Sequence, residues 1–269
     1  MLSIATHEDY VSTSAGNLYV KSWGPAAADS SSSALAPVVL FHDSLGSVEL
    51  WREFPKQLAI SLGRKVIAYD RPGFGKSYPR TDKLEADFII NEASGPFAAI
   101  RAEFGIENFI AFGHSVGGAM AAVCAVSFPD HCVALITEAA QAFVEDRTVD
   151  GIRNAEQVFA QDDQLDRLKK YHGDKAEWVL RAWTGTWLSE DFKNWTLKEI
   201  LPKVTCPVLA IHGEDDEFGS ALHPELYTSL PAGPCVMELL QDCGHVPHKE
   251  KPDVVIAVTS EFIARNHTP

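Results

Sequence analysis

Five short stretches of this chain are apolar without interruption: Pro37-Val38-Val39-Leu40-Phe41, Val66-Ile67-Ala68-Tyr69, Phe109-Ile110-Ala111-Phe112, Val133-Ala134-Leu135-Ile136 and Val208-Leu209-Ala210-Ile211. A strand with one wetted face alternates apolar and polar residues, whereas a continuous run suits a strand covered on both faces, as in a parallel sheet. Helix-like patterns lie between these runs, at Leu50–Leu62, Asp87–Phe104 and Ser115–Phe128, and another follows at Asp253–Ala264. The alternation predicts an α/β fold with a mostly parallel central sheet flanked by helices and joined by right-handed crossovers. Ahead of it, Tyr10–Thr13 and Leu18–Trp23 flank Ser14-Ala15-Gly16-Asn17 and read as a hairpin. Ala26–Ala36, rich in Ala and Ser, reads as a flexible loop.

The rhythm stops between about Gln141 and Val204, an interval without a strand-like run and longer than an ordinary connection. Pro202 and Pro207 mark the return to the sheet, because proline disfavours a continuing helix. The expectation is one domain over residues 1–269 with a helical insertion at 142–204. Trp178, Trp183, Trp187 and Trp195 fall inside it, and Trp183 and Trp187 are spaced to share one helix face. Packing of a small helical core accounts for most of them.

A length of 269 residues, 46% of them hydrophobic, is ample for one buried core. The 23 basic and 37 acidic residues give a net charge of −14, which repels phosphate backbones and anionic membranes. Nucleic acid and membrane are therefore not expected as partners. No run approaches the roughly 18 apolar residues that span a bilayer, and Met1–Asp9 lacks a basic region followed by an apolar core, so a cytoplasmic location is expected. The five cysteines (124, 132, 206, 235, 243) show no C-x-x-C spacing and suggest neither a zinc site nor a disulfide framework.

Gly113-His114-Ser115-Val116-Gly117 reads G-x-S-x-G between a strand-like and a helix-like run. That context places Ser115 on a tight strand-to-helix turn, its hydroxyl projecting at the positive end of a helix where an oxyanion is stabilised. With it, and with the residues that follow in chain order, the sequence resembles the α/β-hydrolase family over nearly its whole length. A serine hydroxyl needs a base near neutral pH. His245 follows the strand-like Val236–Leu240 and precedes a helical segment, and the resemblance makes its Gly244-His245 pair the carrier of the catalytic base. His248 competes for the role but lacks the preceding glycine and precedes the charged Lys249-Glu250-Lys251, so it reads as a loop residue, and Pro247 between the two argues against a metal pair. His212-Gly213-Glu214-Asp215-Asp216 resembles the family's G-x-x-D, implying Asp216 as the acid; Asp215 and Glu138 are the alternatives. Oxyanion donors are implied at the N–H groups of Val116 and Ser44. The loop His42-Asp43-Ser44 carries Asp43 where the family commonly has glycine, so the Asp43 carboxylate should turn away from the oxyanion.

Gly75-Lys76-Ser77 does not complete a phosphate loop, because position 70 holds Asp70 rather than glycine. Asp70–Ser77 instead resembles the family's D-x-P-G-x-G-x-S loop, expected near the pocket rim. The resemblance implies a cap over Ser115, with Trp183 and Trp187 as candidate substrate contacts. The expected activity is hydrolysis of a small carboxylic ester through an acyl-enzyme by Ser115, His245 and Asp216, without metal or other cofactor. Lactones and vinylogous diketones cleaved at a C–C bond are alternative substrates of the same residues. A ligand-binding receptor that retains the fold is the alternative from another class.

Overall fold

The computed structural model describes residues 3–26, 35–161 and 163–266. Its strands are β1 (Ile4–Thr13), β2 (Gly16–Pro25), β3 (Val38–Phe41), β4 (Val66–Tyr69), β5 (Phe109–His114), β6 (Cys132–Glu138), β7 (Val208–Gly213) and β8 (Cys235–Leu240). Its helices are α1 (Phe54–Leu62), α2 (Phe88–Ser94), α3 (Pro96–Glu103), α4 (Val116–Ser127), α5 (Asp146–Phe159), α6 (Gln164–His172), α7 (Ala176–Trp187), α8 (Leu222–Ser229), α9 (Pro247–Glu250) and α10 (Pro252–Arg265). The eight strands form one sheet in the order β1-β2-β4-β3-β5-β6-β7-β8. All neighbours from β4 to β8 pair in parallel, while β2 runs antiparallel to both β1 and β4.

The uninterrupted apolar runs have a simple cause: every residue of β3, β4, β5 and β7 is buried. Alternate side chains go to opposite faces. Val38, Leu40, Ile110 and Phe112 pack with Phe54 and Leu58 of α1 and Val255 and Phe262 of α10. Val39, Phe41, Phe109 and Ala111 pack on the other face with Ile89 of α2, Phe97 of α3 and Met120 of α4.

Two expected helices are divided. Asp87–Phe104 breaks at Gly95-Pro96, because Pro96 has no N–H to continue the ladder and starts α3 instead. Leu50–Leu62 splits into a 3₁₀ turn at Val48–Trp51 and α1, with Pro55 in the first turn of α1. The amino-terminal hairpin is longer than its apolar segments suggest, pairing Thr13 with Gly16 and continuing to Ile4 with Pro25. Of the Ala- and Ser-rich loop, residues 27–34 lie outside the described residues. Between β6 and β7 the chain makes α5, α6 and α7, with an isolated bridge between Phe143 and Thr196 at the base of this excursion. Among the described residues no helix is long and apolar enough to cross a membrane.

Candidate active site

The carboxyl-terminal ends of parallel strands gather the loops that follow them, and ligands bind at that edge in open α/β sheets. Here β3 leads to Ser44, β5 to Ser115, β6 to Gln141, β7 to Asp216 and β8 to His245. Ser115 has φ 56° and ψ −129°, a conformation strained for a residue with a Cβ. Its N–H donates to the Glu138 carbonyl and its own carbonyl accepts from Gly118 N–H, both at 2.9 Å. The flanking glycines follow from close packing: a Cβ on Gly113 would strike the Gly117 carbonyl, and one on Gly117 would strike the Phe41 carbonyl.

His245 Nε2 lies 3.1 Å from Ser115 Oγ. On its other side, Nδ1 lies 2.9 Å from each carboxylate oxygen of Asp216. Because that carboxylate accepts, the proton of the neutral ring sits on Nδ1, leaving Nε2 to accept from the serine hydroxyl. Asp216 is buried and its Oδ1 also accepts from the N–H groups of Phe218 at 2.7 Å and Gly219 at 3.2 Å. Burial pushes the Asp216 carboxyl up, but the bond and charge of His245, with His212 and the Phe218 N–H, together hold the group below its ordinary value.

The other candidates lie elsewhere. Asp215 is exposed. Glu138 is fully buried and pairs with His248, whose Nδ1 donates to its Oε2 at 2.8 Å. His248 is therefore a buried partner of Glu138 rather than the loop residue its sequence context suggests. Among the described residues no three His, Cys, Asp or Glu side chains are grouped so that they could hold a metal ion.

A cavity of about 230 Å³ opens beside Ser115. Ser44, Leu45, Gln141 and His245 line it from the sheet side, Ile152 and Phe159 from α5, and Trp183 and Trp187 from α7. Val116 opens α4, where first-turn N–H groups have no acceptor within the helix. Asp43 places Oδ1 3.8 Å from His114 Nδ1. Burial pushes the Asp43 carboxyl up, yet the His114 bond and charge hold it well below the usual carboxylate range. In turn, burial lowers His114 but Asp43 outweighs it and raises the imidazole. The carboxylate beside the Ser44 loop is thus faced by the His114 imidazole.

The loop 70–77 does not line this cavity; it braces the site from behind. Arg71 N–H donates to His42 Nε2 at 3.1 Å, and Arg71 Nη2 donates to the Asp43 carbonyl at 2.8 Å. Asp70 ties Val48 N–H and Lys76 N–H, each at 2.7 Å, and a Cβ on Gly75 would strike its carboxylate. His172 of α6 accepts from Gly75 N–H at 2.9 Å and donates to the Leu45 carbonyl at 3.0 Å, joining the helical excursion to both loops.

Two residues at the site escaped the sequence reading. Gln141 places Oε1 3.1 Å from Ser115 Oγ. His114 donates from Nε2 to the His245 carbonyl at 2.7 Å. His114 sits inside the G-x-S-x-G motif, which could have drawn notice; Gln141 is marked only by its place three residues beyond β6.

A profile of the alpha/beta hydrolase fold matches residues 36–252. The chain is 24% identical to a 2-hydroxy-6-oxononadienedioate/2-hydroxy-6-oxononatrienedioate hydrolase of Pseudomonas sp over 85% of this chain and 88% of the relative. It is 28% identical to a bifunctional esterase/perhydrolase of Acinetobacter calcoaceticus, covering 77% of this chain and 82% of that protein. The crystal structure of a proline iminopeptidase from Mycobacterium smegmatis superposes with a TM-score of 0.73 at 21% identity, over 97% of this chain and 98% of the other. With the profile spanning strands β3 to β8 and the loops that carry Ser115, Asp216 and His245, the chain belongs to the alpha/beta hydrolase fold family.

Proposed function

We propose that this protein is a serine hydrolase that cleaves small, uncharged carboxylic esters through an acyl-enzyme. The observation that carries the reading is the hydrogen-bonded chain Ser115–His245–Asp216 at the wall of an apolar cavity. Ser115 Oγ attacks the ester carbonyl while its proton passes to His245 Nε2, and Asp216 holds the imidazolium that forms. The N–H groups of Val116 and Ser44 receive the oxyanion, and His245 returns the proton to the departing alcohol. Water then repeats the sequence on the acyl-enzyme. Residues 142–204 form a cap in this reading, with Trp183 and Trp187 supplying apolar wall against the acyl or alcohol group.

The C–C bond alternative takes support from the Pseudomonas relative, whose named substrates are dioates. A dianion entering an apolar cavity needs a cationic partner, since burying unpaired charge is strongly unfavourable. The described cavity lining contains Asp43 and Glu217 and no Lys or Arg, which favours a neutral ester. The reading is tested by turnover of short-chain aryl esters compared with a vinylogous diketone dicarboxylate. Preference for the neutral ester is expected, and preference for the dicarboxylate would overturn it.

A further inference from the structure

Two acceptors converge on one oxygen in this site. His245 Nε2 and Gln141 Oε1 each lie 3.1 Å from Ser115 Oγ. A serine hydroxyl carries one proton and satisfies one of them at a time. Gln141 is held firmly: its carbonyl accepts from Tyr227 OH at 3.0 Å, and the next residue, Ala142, donates its N–H to His223 Nδ1 at 3.1 Å. Two residues upstream, Ala139 has φ 47°, a strained conformation without glycine that turns the chain out of β6. The side chain is buried, so an unmatched amide oxygen there is costly.

We infer that Gln141 Oε1 is the second acceptor for the water that cleaves the acyl-enzyme, and that it selects water over alcohols as acyl acceptor. This rests on the ester-hydrolase reading. Once Ser115 Oγ is acylated it has no proton, so both acceptors stand open beside the acyl carbon. Water brings two protons. One passes to His245 Nε2 as the water oxygen bonds to the acyl carbon, and the other stays hydrogen-bonded to Gln141. The proton on His245 then goes to Ser115 Oγ as the acyl–oxygen bond breaks, releasing the acid and free serine. An alcohol has only one proton, gives it to His245 and leaves Gln141 unmatched.

The test measures partition of one acyl-enzyme. An aryl ester is turned over with methanol present, and the ratio of carboxylic acid to methyl ester is determined for wild type, Gln141→Leu, Gln141→Asn and Gln141→Glu. Both products arise from the same intermediate, so slower acylation or a smaller folded fraction does not move the ratio. Losing one neutral hydrogen bond should lower it about threefold to tenfold in Gln141→Leu and in the shorter Gln141→Asn. Gln141→Glu, which keeps an oxygen acceptor, should stay closer to wild type. An unchanged ratio in Leu and Asn variants that still turn over overturns the inference while leaving the ester reading intact. No aryl alcohol released by wild type overturns both.

Discussion

His114 Nε2 donates to the backbone carbonyl of His245 at 2.7 Å, so the residue preceding Ser115 fixes the loop whose imidazole faces Ser115. The same ring meets the Asp43 carboxylate on its other nitrogen. Replacing His114 by Phe keeps an aromatic ring but removes both interactions. A neutral hydrogen bond contributes about 0.5–1.5 kcal/mol, so losing the tie to the His245 carbonyl should lower ester turnover about threefold to tenfold. Steady-state kinetics with a melting curve checks this, and wild-type kcat in a folded variant would show that the tie does not position His245.

The acid assignment rests on Asp216 Oδ1 and Oδ2 at His245 Nδ1. Asp216→Asn should lose turnover by roughly 10⁴, the loss seen when a triad acid is replaced by its amide. Asp215→Asn, at an exposed position, should change turnover by less than about threefold. Glu138→Gln should lower stability through its bond to His248 more than it lowers turnover. Comparing kcat and melting temperature across the three variants decides the order.

His172 and His223 each accept a backbone N–H on Nδ1, which requires that nitrogen to be unprotonated. Burial lowers both imidazoles to about 4, outweighing for His223 the opposing pull of Glu145. In the unfolded chain histidine titrates near 6.5. Their contribution to stability is therefore fully present above about pH 6.5 and is lost as pH falls toward 4, where the unfolded chain takes up protons that the folded rings refuse. The loss approaches about 3 kcal/mol per ring. Urea unfolding between pH 7 and 4.5 should show it, and His172→Gln should reduce the slope by about one proton; an unchanged slope would contradict the account of His172.

Trp183 and Trp187 face the cavity from α7. Trp183→Ala should raise KM for aryl esters more than it lowers kcat, because an apolar wall holds substrate and transition state alike. With a cavity of about 230 Å³, short acyl chains should exceed long-chain triacylglycerols in kcat/KM, without activation at an oil–water interface. Interfacial activation would contradict the reading of residues 142–204 as a cap over Ser115.

The sheet was legible because burial on both faces leaves uninterrupted apolar runs, and β3, β4, β5 and β7 fall where those runs stand. Ser115 was legible from its G-x-S-x-G context, Asp216 and His245 were implied by the family resemblance of their loops, and the structure brings the three together. What escaped depends on contacts across the sheet. The pairing of Glu138 with His248 spans 110 residues of chain, and that of His114 with the His245 carbonyl spans 131. Asp43 looks like a misplaced charge until His114 is seen beside it. Gln141 could not be singled out because a glutamine after a strand carries no periodic or spacing signal.

The central claim is that Ser115 Oγ becomes acylated. Brief exposure to an aryl phosphonate followed by peptide mass spectrometry, run beside turnover of a short-chain aryl ester by wild type and Ser115→Ala, tests it most directly. Adduct on Ser115 alone, with turnover falling by on the order of a millionfold in a folded Ser115→Ala protein, is the expected result. Ester turnover that survives in Ser115→Ala, or a phosphonate that labels another residue while turnover stops, would contradict it.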